Sequence, residues 1–278
     1  MSVPAIGLLH PGRMGAAVGH RLTAAGHRVS WCADGRSPAT AARAEEAGLD
    51  RVADLAELTA ASDLIISLCP PAAAERLAAS VAETGFSGTF VEANAVGPAR
   101  VRHIAGLFTA ARVVDGCVIG PPPSDGATAR LYLSGPGPEA ARVAGLFAGS
   151  TVEAIVVDGG IGQASALKMA YGSYNKAASA LAAVSHALAD TYGVGNHLLV
   201  EARRGGADHL SAPERLSGVA ARAWRWAPEM EEAAATMAEA NLPDELALAA
   251  AAVFRRWDDD RDDFTIALPN VLDHLRGR

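Results

Sequence analysis

Cysteine is scarce in this chain: Cys32, Cys69 and Cys117 are the three in 278 residues, an odd number with no C-x-x-C spacing. That excludes a disulfide framework, a dithiol redox pair and a cysteine zinc site. Each lies in or at the end of an apolar run, where a reduced thiol packs as a small hydrophobe. Positive charge is short as well, with 24 Lys and Arg against 31 Asp and Glu and a net charge of −7. Such a chain carries no broad footprint for nucleic acid or an anionic membrane, although a few cations can still line a pocket for a small anion. No stretch approaches ~18 apolar residues free of polar ones outside Ala-rich amphipathic segments, and no basic flank leads into an apolar N-terminal run. The expectation is a cytoplasmic protein with no membrane span. Metal ligands are missing too: His20, His27, His103, His186, His197, His209 and His274 show no ligand spacing, so no chemistry is assigned to them. The charged run Asp258-Asp-Asp-Arg-Asp-Asp263 lacks the glycine and terminal glutamate of a calcium loop, and reads as a solvated loop. Small molecules remain as the expected ligands.

What is present is apolar and alternating. Half of the residues are hydrophobic, enough for one large or two medium domains. Up to about residue 157, short β-type runs (Ala5 to Leu9, Arg28 to Ala33, Leu64 to Cys69, Thr89 to Glu92, Val113 to Val118, Ala129 to Ser134, Thr151 to Val157) alternate with helical stretches. The helical ones include Ala16 to Ala25, Ala39 to Ala47, Ala72 to Ala82 and Pro138 to Leu146. This alternation predicts a doubly wound, mostly parallel α/β sheet. From Gln163 to about Tyr192 there is no proline and one internal glycine, which predicts a single long helix of about 45 Å at ~1.5 Å per residue. Beyond it no strand is expected, and Pro213, Pro228, Pro243 and Pro269 should divide the remainder into shorter helices. Two domains follow, residues 1–160 and an all-α part, 161–278.

The most telling segment is Val3-Pro-Ala-Ile-Gly-Leu-Leu-His-Pro-Gly-Arg-Met-Gly15. An apolar run there stops in a glycine-punctuated turn that opens directly into a helix, the arrangement that brings backbone N–H groups to a pyrophosphate. The motif is H-x-G-x-x-G, with His10 where the usual fingerprint has its first glycine. About 20 residues on, Asp34 suits a ribose 2′-OH and hence NAD, whereas Arg36 and Ser37 suit a 2′-phosphate and hence NADP. NADP is preferred over NAD.

Several segments, in this order, resemble the 6-phosphogluconate dehydrogenase and β-hydroxyacid dehydrogenase superfamily. Ile6 to Gly15 is similar to its I-G-x-I-G-L-G-x-M-G. Asp63-Leu-Ile-Ile-Ser-Leu-Cys-Pro-Pro71 resembles its fourth strand and the Pro-containing loop beside the cofactor. Asn94-Ala-Val-Gly-Pro98 stands where the family carries a Ser/Thr-x-x-Pro substrate loop, and Asp115-Gly-Cys-Val-Ile-Gly-Pro121 where it carries D-A-P-V-S-G-G. Ala166-Leu-Lys-Met169 resembles the segment that supplies its catalytic lysine. Ala223 to Glu232 and Asn241-Leu-Pro243 resemble small, uncharacterised members with a shortened helical C-terminal domain.

The resemblance implies a Rossmann domain, a long interdomain helix and a helical domain that completes a substrate cleft and pairs into a homodimer. It implies that His10, Gly12, Arg13, Met14, Gly15, Asp34, Arg36, Ser37, Cys69, Pro70 and Asn94 meet the cofactor. Asn94, Ile119 and Gly120 would meet the substrate. It also makes Lys168 catalytic, where composition alone leaves a snorkelling lysine open. Tyr171 and Asn175 share its helical face at three and seven residues. Asn175 stands where sugar-phosphate decarboxylating members carry an acidic glutamate, and an amide gives up no proton at neutral pH. Lys176 reads as a solvated helix residue, and Trp224 and Trp226 as interhelical packing or a cleft wall. Ile119 and Pro121 replace donors that would clamp a carboxylate. The implied activity is hydride transfer between NADP and a hydroxyl or keto group of a small acidic substrate. Imine reduction and a non-catalytic dinucleotide sensor are the alternatives.

Overall fold

The structure, a computed structural model, describes residues 3–277. It separates into two compact units, one ending at Lys168 and the other beginning at Met169. The first is built on one eight-stranded sheet: β1 (Ile6–Leu9), β2 (Val29–Cys32), β3 (Asp50–Val52), β4 (Leu64–Ser67), β5 (Thr89–Glu92), β6 (Arg112–Ile119), β7 (Ala129–Ser134) and β8 (Val152–Val156). The order across the sheet is β3-β2-β1-β4-β5-β6-β7-β8. All neighbours are parallel except β6 and β7, so β1 to β6 share one carboxyl edge. Strand order reverses between β1 and β4, and in such sheets the crevice beyond the strand ends at that reversal takes a ligand.

Helices α1 (Arg13–Ala24), α2 (Pro38–Glu46), α3 (Leu55–Ala60), α4 (Pro71–Glu83), α5 (Pro98–Gly106) and α6 (Gly137–Gly145) cover the sheet on both faces. Strand side chains alternate between two apolar layers. Leu64 and Ile66 join α1, α2 and α6 residues such as Leu22, Ala44 and Val143, whereas Ile65 joins Leu58, Ala78 and Ile104 from α3, α4 and α5. With both faces covered, the central strands read as continuous hydrophobic runs, which is why they were recognisable in the sequence. Two elements were not anticipated. β3 is a three-residue edge strand whose Asp50 and Arg51 are exposed. α3 is one and a half turns started by a capping box, with Asp54 accepting from Glu57 N at 2.8 Å and Glu57 from Ala53 N at 2.8 Å.

Helix α7 (Gln163–Thr191) begins in the first unit and continues through the second, which also holds α8 (Gly195–Arg204), α9 (Leu216–Ala220), α10 (Ala223–Glu239), α11 (Glu245–Phe254) and α12 (Leu268–Arg276). No strand occurs there among the described residues. Its core joins Ala183, Ala220, Met230, Phe254, Trp257 and Val271. Pro228 corrects the expectation of a helix break, because it lies inside α10. A proline so near a helix start removes one backbone bond, and burial of Ala223, Ala227 and Met230 on one face holds the helix through it. Pro213 and Pro269 open helical turns, and Pro243 separates α10 from α11.

The acidic run is also corrected. Its first part is a 3₁₀ turn, and Asp260 is buried with both oxygens near His274 Nδ1, at 2.8 and 3.0 Å. His274 thus has a structural partner. Trp226 packs edge-on against Phe254, and Trp224 lies under Arg261. All three cysteines are unpaired; Cys69 and Cys117 are buried and Cys32 half-buried. No group of His, Cys, Asp or Glu among the described residues is arranged to hold a metal, and no described helix is long and apolar enough to cross a membrane.

Candidate functional site

The glycine turn sits between β1 and α1. Gly15 is packed so closely that an added Cβ would lie 2.5 Å from His10 O, and a Cβ on Gly12 would touch the His10 ring. His10 itself adopts φ +72°, the left-handed conformation that favours glycine. The position of the missing glycine has therefore kept the glycine backbone and gained an imidazole. Gly12, at the N-cap of α1, brings no side chain over the helix start, and no acidic residue occupies its first turn. Arg13 is exposed, and Met14 packs at the margin of the core.

Beside this turn lies a small group of cations. Arg36 Nη1 is 3.1 Å from His10 Nδ1, which accepts the hydrogen bond when the imidazole is neutral. Burial, then the charges of Arg36 and Arg43, push the His10 pKa below its ordinary value. Ser37 caps α2, its Oγ accepting from Thr40 N at 3.3 Å, and Thr40 Oγ1 accepts from Arg43 Nη2 at 3.1 Å. The Nε atoms of both Arg36 and Arg43 are buried without a partner. A guanidinium normally spends its five donors, so two such forks with idle nitrogens fit an anion with several oxygens, as a phosphate has. Asp34 is exposed at the preceding turn.

At the ends of β4 and β5 the polar groups bond to one another instead. Asn94 Oδ1 accepts from Cys69 N at 2.5 Å, and Asn94 Nδ2 donates to Ser67 Oγ at 2.9 Å and to Glu92 Oε1. Both amide hydrogens and the amide oxygen are engaged, and the residue is 3% exposed. The expectation that Asn94 meets cofactor and substrate is corrected in this respect: its amide ties the β4–α4 turn to β5 and presents no open donor. Glu92 is fully buried, with Oε2 unpartnered. Burial raises its pKa to about 7, against the hydrogen bonds from Asn94. Burial likewise pushes the Cys69 thiol up to about 11 and Cys117 up to about 12, so neither is a thiolate at neutral pH. Pro70 is exposed at the start of α4.

Ile119 is a second correction. It ends β6 with its side chain buried against Cys117 and Ala164, turned inward because alternate residues of a strand face opposite sides. Gly120, at φ +117°, and Pro121 and Pro122 are exposed at the turn that follows.

Lys168 reaches the same carboxyl edge of the sheet. Its Nζ donates to Val118 O at 2.6 Å, one residue before β6 ends. The first turn of α7 is pinned to the strand beneath by Asp115, which accepts from Gly162 N, Ser165 N, Ser165 Oγ and Ser134 Oγ. A compositional signal went unused in the sequence: the chain has twenty-two arginines and only two lysines, Lys168 and Lys176. A lysine amine is more compact than a guanidinium and exchanges a proton more readily.

Tyr171 and Asn175 belong to the second unit. Tyr171 is exposed, and Asn175 Nδ2 donates to Tyr171 O at 2.9 Å, a bond along its own helix. Lys176 is not solvated as expected: Nζ is 2.7 Å from Glu229 Oε2, and both side chains are mostly covered. Two cavities, of about 420 and 370 Å³, are lined by residues of the second unit, the smaller by Ser179, His209, Arg222 and Trp226 among others.

Residues 5–91 match a family described as NADP oxidoreductase, coenzyme F420-dependent, and residues 189–257 match a domain of unknown function. No curated protein matches the chain. Among solved structures, the conserved protein MTH1747, of unknown function and described as structurally similar to 3-hydroxyacid dehydrogenases, is 26% identical with a TM-score of 0.70; the match covers 94% of this chain and all of that one. The 3-hydroxyisobutyrate dehydrogenase of Mycobacterium tuberculosis, solved with L-serine, is 19% identical with a TM-score of 0.80, covering 99% and 100%. A reductive aminase from Aspergillus terreus, in complex with NADPH and ethyl levulinate, is 21% identical with a TM-score of 0.53, covering 99% and 100%. The chain thus shares its fold, over nearly its whole length, with 3-hydroxyisobutyrate dehydrogenase and with a protein described as similar to 3-hydroxyacid dehydrogenases.

Proposed function

We propose that this protein is an NADP-dependent oxidoreductase that moves hydride between the nicotinamide and a hydroxyl or keto carbon of a small acidic substrate. The observation that carries this reading is the Lys168 amine seated at the carboxyl end of β6, in a chain with one other lysine. In a doubly wound sheet, β1 to β3 carry the adenosine half of a dinucleotide and β4 to β6 the nicotinamide half. Gly12, Arg13, Met14 and Gly15 would hold the pyrophosphate, Arg36, Arg43 and Ser37 the 2′-phosphate, and Cys69 and Pro70 would flank the nicotinamide. The bound cofactor supplies the hydride donor or acceptor. Lys168 Nζ donates to the substrate oxygen, stabilises the negative charge that grows there during reduction, and delivers the proton that converts alkoxide to alcohol. Oxidation runs the same proton back to Nζ.

A second reading, imine reduction, is favoured by the turn after β6. Ile119 faces inward, and Pro121, Pro122 and Pro123 have no N–H to offer a carboxylate. Against it, an ammonium at Lys168 would repel an iminium ion. Quenching of NADPH fluorescence, followed by turnover with a panel of keto acids and imines, decides among these and a dinucleotide sensor that binds without turnover. Failure of NADPH to bind would end all three.

The partner proposed is a second copy of the chain. On α7, Tyr171, Tyr174, Leu181, Val184 and Leu188 are exposed along one uncharged face, and Tyr192 extends it just past the helix end. Tyr174, Leu181 and Leu188 are seven residues apart, a coiled-coil spacing symmetric about Leu181, so the same face on an antiparallel copy is complementary to it. The open apolar area, on the order of 700 Å² from six such side chains, is near the ~800 Å² per partner of a standard interface. Leu181→Glu should convert a dimer to a monomer in light scattering; a wild-type chain that is monomeric at micromolar concentration refutes the pairing.

A further inference from the structure

We infer that Asp115, with Ser134 and Ser165, is the positioning group for the Lys168 amine. The residue before helix α7 is Gly162, which has no side chain with which to cap it. The first N–H groups of any helix lack intrahelical partners and must find them elsewhere. Here they find them on the sheet. Asp115 Oδ2 accepts from Gly162 N at 2.9 Å and Ser165 N at 3.1 Å, Asp115 Oδ1 accepts from Ser165 Oγ at 2.6 Å, and Ser134 Oγ takes Ala164 N at 3.0 Å. Ser134 Oγ in turn donates to Asp115 Oδ2 at 2.9 Å, and it lies directly across from Asp115 in the β6–β7 register. Asp115, Ser134 and Ser165 are all buried, so water does not substitute for any of these bonds.

The geometry ties two consecutive points of α7 to one strand. Ser165 is fastened to Asp115, and three residues later, on the same side of the helix, Lys168 is fastened to Val118 O. A carboxylate at a helix start also opposes the positive end of the helix dipole, which strengthens the clasp. With the first turn held against rotation and sliding, the lysine stem has one route, along the strand to its carboxyl end. Without the clasp, α7 keeps its apolar packing and Lys168 keeps its bond to Val118 O, but the first turn loses the contacts that fix its rotation about its axis, so the amine is positioned less tightly. The inference deepens the proposed role of Lys168 and adds residues that touch neither substrate nor cofactor.

The two-lysine composition supplies the test. Lys176, on the same helix and paired with Glu229, is an internal reference. Competitive trace acetylation at neutral pH, read by mass spectrometry of the two lysine peptides, gives the Lys168-to-Lys176 labelling ratio. It should rise about tenfold in Asp115→Asn, which turns an acceptor into a donor facing N–H groups, and about fivefold in Ser165→Ala. Ser165→Thr, which keeps the hydroxyl, should restore the wild-type ratio. Ser165→Ala serves where Asp115→Asn fails to fold. A ratio within twofold of wild type in a folded variant, or both lysines rising together, overturns the inference. NADPH titration of the wild-type protein tests the oxidoreductase reading independently: absence of binding refutes that reading and leaves the labelling result intact.

Discussion

The two halves of the sheet's carboxyl edge are built on opposite principles. Beside β1 and β2, cations gather and keep nitrogens idle: Arg36 and Arg43 each bury an unpartnered Nε, and His10 is held in a glycine conformation between them and the turn. Beside β4, β5 and β6, polar groups other than Glu92 Oε2 are bonded to one another, Asn94 to Ser67, Cys69 and Glu92, Asp115 to the start of α7, and the Lys168 amine to Val118 O. Idle donors cost folding free energy and persist where a ligand completes them. Saturated networks rigidify, and suit a place where one group must be held for chemistry. On the proposed reading, the first half binds the cofactor and the second positions the amine.

That contrast can be broken by separating binding from turnover. Lys168→Ala should lower kcat by about a hundredfold or more, the usual range for a general acid, while leaving the NADPH dissociation constant within about twofold. If kcat is unchanged on a good substrate, the second half does not position a catalyst. Next in size is Glu92. Its folded-state pKa of about 7 lies above the unfolded carboxyl value, so between pH ~4.5 and ~7 the unfolded chain binds fewer protons and stability falls as pH rises. The loss, complete above pH 7, is on the order of 3 kcal/mol. Glu92→Gln keeps an acceptor for Asn94 and should flatten that slope in urea titrations taken at several pH values; an unaltered slope assigns it elsewhere.

Arg36→Ala should weaken NADPH about tenfold, the worth of a charged hydrogen bond or two, without affecting NADH. Equal weakening of both would place the arginine on the pyrophosphate instead. The smallest effect is expected at His10. Glycine suits φ +72° better by about 1 kcal/mol, so His10→Gly should raise Tm by a few degrees. The depressed His10 pKa means stability contributed by the neutral ring is lost as pH falls below the ordinary histidine value. In His10→Gly that part of the acid sensitivity should vanish in melts between pH 5 and 7.

Much of the first half was readable from residues. The β1 run, the glycines and the position of Arg36 depend on near neighbours in the chain, and the strand ends were found within two residues for β1 and β2. In the second half the strands β4, β5 and β6 were placed equally well, but the partners of their polar groups were not. That Asn94 is spent on Cys69 N, 25 residues away, depends on how β4 and β5 align, and nothing near Asn94 marks it. Ile119 was assigned to substrate by motif position, but strand alternation turns it into the core. Pro228, Asp260 and Lys176 were misjudged for a related reason, since each is rescued or occupied by a group far along the sequence: the buried α10 face, His274 and Glu229.

By itself the sequence determined the alternation of strands and helices, the glycine turn, the unbroken α7 and the rarity of lysine, because periodicity, backbone freedom and composition act over a few residues at a time. Only the tertiary structure decided which polar atoms stay idle and which are spent. A hydrogen bond between strands or from strand to helix joins residues tens of positions apart, and its existence depends on registers and rotations that no local run of residues encodes.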